Sequence, residues 1–161
     1  ESDKSLFRST VDQQKPIDKD GVKKTITSKS GANQLFQKYS FLYEPNISGS
    51  EAVIHYKSGL SSKVLKKMKQ GNMGPTPSID LHGHKVEEAC QSLSKFIHFH
   101  SNERFIHIIH GKGYHSDSGL SIMKSQVVHY LKQHPEVLAF CSCTQEMGGT
   151  GAVFVHLKAH V

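Results

Sequence analysis

The sequence has no long apolar run and few cysteines, and each shortage excludes a class of protein. No stretch approaches the roughly 20 apolar residues that a helix needs to cross a bilayer. No apolar segment follows a basic start, as it would in a secretory signal. Three cysteines are too few for a disulfide framework, and the sequence therefore predicts a cytoplasmic protein.

Two of the cysteines, Cys141 and Cys143, alternate along an apolar run. Alternate residues of a strand point to the same face of a sheet, which indicates packing. A Cys-x-Cys metal or redox site would need a second cysteine pair, and the chain has only Cys90 besides. We therefore expect neither a metal nor a cofactor.

Acidic residues are missing from one long segment, between Ala52 and Ile79. Residues 1–77 hold 13 of the 20 Lys and Arg residues but only 7 of the 14 acidic ones, so the whole net charge of +6 lies there. The remaining residues are formally neutral and hold 11 of the 12 histidines. Because acid-free basic segments bind polyanions through the release of counterions, the segment indicates a nucleic-acid partner.

The same segment predicts a short helix near residues 61–70. Ser61 or Ser62 can cap its start, and Gly71 can end it. One face of this helix is apolar, and the other face is basic. The basic face carries Lys63, Lys66, Lys67 and Lys69. This face is either a solvated surface on a helix docked through its apolar side, or an arm that contacts phosphates, and we favour the arm.

We place a domain boundary within the Gly-Pro-Thr-Pro hinge that begins at Gly74. Residues 1–75 form a basic N-terminal extension, and residues 76–161 form the domain. Residues 1–33 are polar without a sustained period, which predicts disorder because they cannot bury enough apolar surface to offset the entropy of ordering. Residues 35–43 form an apolar and aromatic patch suited to packing on the domain or on a partner.

The domain alternates short apolar runs with segments of helical periodicity. Its predicted strands are residues 78–81, 105–109, 137–143 and 152–157. Its predicted helices are residues 86–97 and a segment that begins near Ser118 or Ser121 and stops before Pro135. The order β-α-β-α-β-β predicts an α/β two-layer sandwich, with a mixed four-stranded sheet and two helices on one face. Right-handed crossovers make the first three strands parallel and the last strand antiparallel to its neighbours.

Polar residues and glycines lie at the ends of these strands. Asp80 and His82 end the first strand, His110 and Lys112 follow the second, and Gly148–Gly151 precedes the last. Open α/β sheets bind ligands at the carboxyl ends of their strands, and the last strand begins at that edge. A carboxylate, two histidines, a lysine and several glycines are therefore expected to converge, in a set suited to phosphodiester cleavage.

Three stretches carry a resemblance to a known family. Asp-Leu-His-Gly at 80–83, His-Gly-Lys-Gly at 110–113 and Gly-Gly-Thr-Gly-Ala at 148–152 resemble, in order and spacing, the signature motifs of the Smr (small MutS-related) domain. The resemblance covers about residues 76–158. It implies the fold of that domain, which is similar to the C-terminal domain of bacterial translation initiation factor three. A basic helix ahead of the first motif also resembles the arrangement in stand-alone bacterial members.

The resemblance implies a function as well. Smr domains are nucleases or nucleic-acid binders, and stand-alone bacterial members are linked to mRNA cleavage on stalled or collided ribosomes. We therefore expect a monomeric RNA endonuclease that acts on mRNA and associates with the ribosome. In this interpretation Asp80 orients His82, while His82 and His110 act as acid and base. The neighbouring 2′-hydroxyl attacks, which needs no metal.

The expected substrate-binding residues are those that can hold the phosphate or the strand. They are Gly83, His84, Gly111, Lys112, Gly113, Gly148, Gly149, Gly151, Lys63, Lys66, Lys67 and Lys69. Structural roles are the alternative, since Asp80 can bond the next turn or cap the next helix, and the glycines can serve tight turns. His84 and Lys85 stand where many relatives carry a capping Thr or Ser. This predicts a weaker cap and makes His84 a further candidate proton carrier.

Two other functions stay open. A non-catalytic nucleic-acid-binding module would use the same lysines and glycines. A metal-dependent endonuclease that nicks DNA would use Asp80 with histidines as ligands, but no compact His-x-x-x-His or paired-carboxylate motif supports a tight metal site. DNA is thus a partner to test beside RNA, whereas a membrane is not expected.

Overall fold

The computed structural model describes residues 45–113 and 119–159. The predictions for residues 1–33 and 35–43 lie outside the described residues. In the described part of the chain the helices and strands are, in order, β1 (Ile54–Tyr56), α1 (Ser62–Gln70), β2 (Ser78–Asp80), α2 (Val86–Phe99), β3 (Phe105–Ile109), α3 (Ile122–Gln133), β4 (Val137–Ser142) and β5 (Ala152–Leu157). Two short 3-10 turns, Gln145–Met147 and Gly149–Gly151, connect β4 to β5. None of these described helices is long and apolar enough to cross a membrane.

The strands form one mixed sheet in the order β1-β4-β5-β3-β2. Strand β2 runs parallel to β3, and β5 lies between β3 and β4, antiparallel to both. The strands β2, β3 and β4 therefore point the same way, as predicted. The α/β class and the mixed sheet are confirmed.

The sheet has five strands, whereas the sequence predicted four. The additional strand is β1, which pairs antiparallel with β4 at the edge of the sheet, with His55 opposite Phe140. Its apolar residues, Ile54 and Tyr56, are 47% and 55% exposed. Because β1 has only three residues and its inward residue is a histidine, its sequence does not mark a buried apolar face.

Helices cover both faces of the sheet. On one face Leu93 of α2 and Leu131 of α3 are fully buried in a core with Val153 and Val155 of β5. This is the predicted pair of helices on one face. On the other face α1 packs through Met68, which is fully buried in a second core with Phe154 and its neighbours. The predicted two layers thus gain a third layer, because α1 docks on the face that was expected to be bare.

Helix α1 follows its local sequence closely. The Ser61 side chain caps it by accepting a hydrogen bond from the backbone of Lys63 at 3.1 Å, and Gly71 closes it with φ +74°. The lysines at 63, 66, 67 and 69 are exposed. Docking through the apolar side, which was one of the two interpretations of this helix, is therefore observed, and the basic side faces solvent.

All described residues lie in one compact unit. That unit includes β1 and α1, which precede the boundary predicted at residue 76. Strand β1 extends the sheet, and α1 buries apolar side chains of β3, β4 and β5. The segment ahead of the boundary thus completes one face of the core.

Candidate active site

The three glycine-containing motifs meet at one edge of the sheet through backbone hydrogen bonds. The N–H of Leu81 donates to the carbonyl of Ile109 at 2.7 Å, which joins the first motif to the second. The N–H groups of His110 and Gly111 donate to the carbonyl of Gly151 at 3.0 and 2.9 Å, which joins the second motif to the third. All three turns lie at that edge because β2 and β3 are parallel and end there, whereas antiparallel β5 begins there.

Asp80 and His82 form a hydrogen-bonded pair on this edge. The Nδ1 of His82 donates to Oδ1 of Asp80 at 2.6 Å, and the His82 backbone N–H donates to the same oxygen at 3.1 Å. The carboxylate therefore fixes both the turn and the imidazole ring. The two side chains are 50% and 69% exposed, for Asp80 and His82 respectively, so a large substrate can reach the ring.

The surroundings of Asp80 stabilise its negative charge. Partial burial raises the pKa of the Asp80 carboxyl, but the hydrogen bonds from the His82 ring and backbone outweigh burial and bring the pKa below its usual range. The nearby imidazoles of His82 and His84 act in the same direction. Asp80 is thus ionised at neutral pH, and an ionised carboxylate that accepts from Nδ1–H leaves Nε2 of His82 for proton transfer.

A cavity of 580 Å³ lies beside the pair. Its walls include His82 and Gly83 of the first motif, the next residue His84, and the whole second motif, His110 to Gly113. Gly111 has φ +87°, and a Cβ on it would lie 3.3 Å from Cβ of His82. The second motif therefore packs against the base of the His82 side chain, and Lys112 lines the same cavity as His82 and His84.

His110 is placed differently from the sequence-based expectation. Its side chain is 2% exposed, and its Nδ1 donates to the carbonyl of Gly111 at 2.8 Å. Its Nε2 is buried without a hydrogen-bond partner among the described residues. Burial lowers the pKa of His110 to about 4, despite the Gly111 bond, and nearby Lys124 lowers it further. At neutral pH the ring is therefore uncharged and enclosed, which does not suit the role of acid or base predicted for it.

Most of the glycine N–H groups expected to hold a phosphate donate within the protein. The N–H of Gly111 donates to Gly151, that of Gly149 to Thr144, and those of Gly148 and Gly151 also donate to backbone carbonyls. These glycines build the turns, which was the structural alternative. The N–H groups of Gly83 and Gly113 have no acceptor among the described residues and border the cavity.

Sequence reasoning missed the contribution of the third helix to this site. Ser121 caps α3, accepting from the Lys124 N–H at 3.1 Å, and it lines the cavity together with Ile122 and Met123. A Cβ on Gly113 would lie 2.9 Å from Cβ of Ser121. The amino end of a helix carries a partial positive charge that favours anions. The N-cap pattern at Ser121 was visible in the sequence, but its proximity to the second motif was not.

A buried histidine, also unpredicted, connects the turn that carries the third motif to β2. His107 is 5% exposed and accepts from the hydroxyl of Ser78 at 2.9 Å through Nδ1. Its Nε2 donates to the carbonyl of Met147 at 2.8 Å. The Met147 carbonyl is thereby anchored just before Gly148, so the glycine-rich turn is held against β2 and β3.

The lysines of α1 lie apart from this cavity. Lys63, Lys66 and Lys67 are exposed on the outer side of α1. Lys69, at the end of the helix, lines a second cavity, which Lys112 also lines. The structure therefore divides the predicted substrate-binding residues among the cavity beside the Asp80–His82 pair, the second cavity, which Lys69 and Gly149 line, and the basic surface of α1.

Comparison with known proteins identifies the family of this chain. The family model described as the Smr domain matches residues 79–158, the segment that holds all three motifs. The ribosome rescue factor SmrB of Aliivibrio salmonicida (strain LFI1238) is 30% identical over 96% of this chain and 91% of its own length. This chain belongs to the Smr domain family. SmrB of Serratia proteamaculans (strain 568), also named a ribosome rescue factor, is 30% identical over 93% of this chain and 89% of its own length.

A solved structure of the Smr family shares the architecture. The crystal structure of YdaL, a stand-alone small MutS-related protein from Escherichia coli, covers 78% of this chain and 97% of its own length, with a TM-score of 0.66 and 30% identity. That coverage exceeds the 79–158 segment. The likeness to this Smr protein therefore extends into the part of the chain ahead of the first motif.

The metal-dependent alternative requires a cluster of metal-binding side chains. Among the described residues, no group of three or more His, Cys, Asp or Glu side chains is arranged to hold an ion. Asp80 and His82 are engaged with each other, and His110 is enclosed with its Nδ1 on a carbonyl. The described donors thus do not assemble the site that the DNA-nicking alternative would need.

Proposed function

We propose that this Smr protein is an RNA endonuclease that cleaves mRNA during ribosome rescue. The observation that carries the proposal is the 2.6 Å hydrogen bond between Nδ1 of His82 and Oδ1 of Asp80, at an exposed edge beside a cavity lined by Lys112. A carboxylate that holds one imidazole nitrogen makes the other nitrogen a better base. The names of the SmrB relatives supply the setting, because they are ribosome rescue factors.

In the proposed reaction the 2′-hydroxyl of the RNA is the nucleophile. His82 takes its proton through Nε2, and the resulting imidazolium is stabilised by ionised Asp80. The 2′-oxygen forms a bond to phosphorus while the bond from phosphorus to the 5′-oxygen breaks. The products are a 2′,3′-cyclic phosphate and a 5′-hydroxyl, and the leaving oxygen receives one proton.

We assign delivery of that proton to His84 rather than His110. His84 is exposed and lines the same cavity as His82. His110 is enclosed, and its pKa of about 4 leaves it uncharged at neutral pH. We propose that His110 instead supports the loop that carries Lys112, through its bond to the Gly111 carbonyl.

Negative charge on the phosphate requires cations nearby. Lys112 lines the cavity, and the amino end of α3 borders it at Ser121. Preorganised positive groups at the position where charge develops are commonly the largest contribution to catalysis. The exposed lysines of α1 extend the positive surface, and we propose that they contact RNA of the message or the ribosome.

The test uses an RNA strand with a single 2′-deoxy nucleotide at the cleaved position. The proposal requires that the native strand be cut to a cyclic phosphate in EDTA and that the substituted strand resist cleavage. The end groups are identified by mass spectrometry. Efficient cutting of the substituted strand, or activity that appears only with a divalent ion, would replace this mechanism by metal-assisted hydrolysis. RNA binding without cleavage would leave the binding-module alternative.

A further inference from the structure

A second cavity, of 390 Å³, lies next to the candidate active site. Its walls come from the segment at and before β1, the end of α1, the end of β4 and the glycine-rich turn. Lys112 lines both cavities. Gly151 packs closely against Lys112, since a Cβ on it would lie 3.0 Å from Cγ of the lysine. The two cavities therefore share the side chain that is proposed to bind the phosphate.

The lining of the second cavity combines apolar and cationic groups. Val53 and Cys141 provide apolar surface, and Lys69 and Lys112 provide two ammonium groups. No carboxylate is among the described lining residues. Burial raises the pKa of the Cys141 thiol to about 11, against an opposing effect of Lys69, so the thiol is uncharged at neutral pH. The described walls of the cavity thus hold two cationic side chains and no acidic one.

Polar groups stand beside the apolar surface. The Oγ of Ser142 accepts from the N–H of Val53 at 2.8 Å, which leaves the hydroxyl able to donate its own hydrogen. The side chains of Gln145 and Thr150 also line the cavity. An apolar wall, a few hydrogen-bonding groups and two cations match the parts of a nucleotide, which has a flat base with polar edges and a phosphate on either side.

We propose that this second cavity binds the base of the nucleotide next to the cleaved linkage, with the RNA strand passing over Lys112. The proposal rests on the proposed function, because it takes the first cavity as the site of cleavage. Lys112 contacts the scissile phosphate, and Lys69 contacts the phosphate on the far side of the bound nucleotide. The volume is at the small end of the range of about 300–1,000 Å³ found for ligand sites, which suits one nucleotide.

The test is an abasic scan of a single-stranded RNA on the full chain carrying His82→Ala, so that the RNA stays intact. Each strand lacks one base, and affinity is measured by fluorescence anisotropy. Ala52 is exposed and lines the cavity, so Ala52→Trp fills it without disturbing the core. Ser58→Trp places the same ring at an exposed position that does not line the cavity. Melting temperatures verify that both variants fold.

One abasic position is expected to weaken binding by about tenfold in the parent and in Ser58→Trp, the loss expected when contacts worth about 1.4 kcal/mol are removed. In Ala52→Trp the same abasic position should cost less than about twofold, because the base has already lost its cavity. Lys69→Gln should weaken binding more than Lys132→Gln, which removes an exposed lysine that does not line the cavity.

An equal abasic penalty in the parent and in Ala52→Trp would overturn the proposal, as would failure of the full chain to bind the strand. A free mononucleotide that binds as tightly as the strand would also overturn it, by showing a small-molecule site. The native chain could cut no RNA while the abasic penalty is still lost in Ala52→Trp. That result would contradict the proposed RNA cleavage and support the proposed nucleotide site. The two proposals are thus tested separately.

Discussion

Gly49 packs against the backbone of Lys112 so closely that a Cβ at position 49 would lie 1.7 Å from the Lys112 carbonyl oxygen. Gly49 belongs to a segment that α3 fixes by side-chain hydrogen bonds. The hydroxyl of Ser125 accepts from the N–H of Ile47 at 3.0 Å, and Nζ of Lys124 donates to the carbonyl of Gly49 at 3.3 Å. A segment far ahead of the Smr motifs therefore supports the loop that carries Lys112.

Replacing Gly49 by Ala is expected to displace that loop. A methyl group cannot occupy a position 1.7 Å from a backbone oxygen, so the segment or the loop must move. Overpacking of this kind typically costs about 1–3 kcal/mol. We expect a lower melting temperature and reduced kcat for RNA cleavage, measured beside Ser58→Ala, an exposed control near β1. Unchanged kcat in Gly49→Ala would show that Lys112 does not depend on this contact.

The strands and helices with clear periodicity were predictable almost to the residue. Residues 105–109 and 152–157 were predicted as strands and are β3 and β5, and the helix predicted from Val86 to Ile97 ends two residues later, at Phe99. Local patterns sufficed because these elements bury a regular face. The meeting of the three motifs followed from strand direction alone.

What sequence reasoning missed depends on contacts that local patterns do not encode. Strand β1 was missed because it turns a histidine inward. His110 was expected to act as acid or base, yet it is buried, with its Nδ1 bonded to a carbonyl one residue away. Lys124 is completely buried, and its ammonium group donates to the carbonyls of Gly49 and Glu51. A lysine within an apolar helical face gives no signal of such a role in one sequence.

Asp80 and His82 are expected to act as one unit in cleavage. Asp80→Asn removes the charge that stabilises the protonated ring, and His82→Ala removes the base, so both should lower kcat by about 100-fold or more, in line with general base catalysis. The double variant should lose little beyond His82→Ala. RNA affinity and melting temperature should change little, because both side chains are half exposed or more.

Variants of His84 and His110 distinguish the proposed mechanism, with His84 as the acid, from the sequence-based expectation that paired His82 with His110. His84→Ala should lower kcat with little effect on stability, since the side chain is exposed. His110→Ala should lower stability more, since it leaves a cavity under the Lys112 loop. Cleavage rates are compared at a temperature where both variants are folded. Full activity in His84→Ala would show that another group delivers the proton to the leaving oxygen.

The basic surface of α1 is expected to govern binding rather than chemistry. Changing Lys63, Lys66 and Lys67 together to Gln should weaken RNA or ribosome binding and lower the slope of log affinity against log salt by roughly one for each lost phosphate contact. Changing three exposed lysines elsewhere, Lys95, Lys132 and Lys158, is the matched control. A loss of kcat equal to the loss of affinity would place the α1 lysines in the active site instead.

Buried histidines should make the protein unstable in mild acid. His134 is 3% exposed and its Nδ1 accepts from the N–H of Glu136 at 3.0 Å. Burial lowers the pKa of His134 to about 4, with a further effect of Lys57, and the pKa of His110 is also lowered to about 4. In the unfolded chain both rings titrate near 6.5. Between these values the unfolded state binds more protons, so the free energy of unfolding falls as the pH falls from about 6.5 to about 4.

Each such histidine contributes a slope of about 1.4 kcal/mol per pH unit within that range. His134→Asn keeps an acceptor for the Glu136 N–H but no longer titrates. The slope of the free energy of unfolding against pH should therefore be smaller in this variant than in the parent, by about 1.4 kcal/mol per pH unit. The measurement is urea unfolding at several pH values from 7 to 4, with the exposed His98→Asn as control. Burial also lowers the pKa of His156, so other histidines contribute to the slope in both proteins. The difference between the parent and His134→Asn isolates the contribution of His134. Equal slopes for the parent and His134→Asn would show that His134 takes up its proton without unfolding.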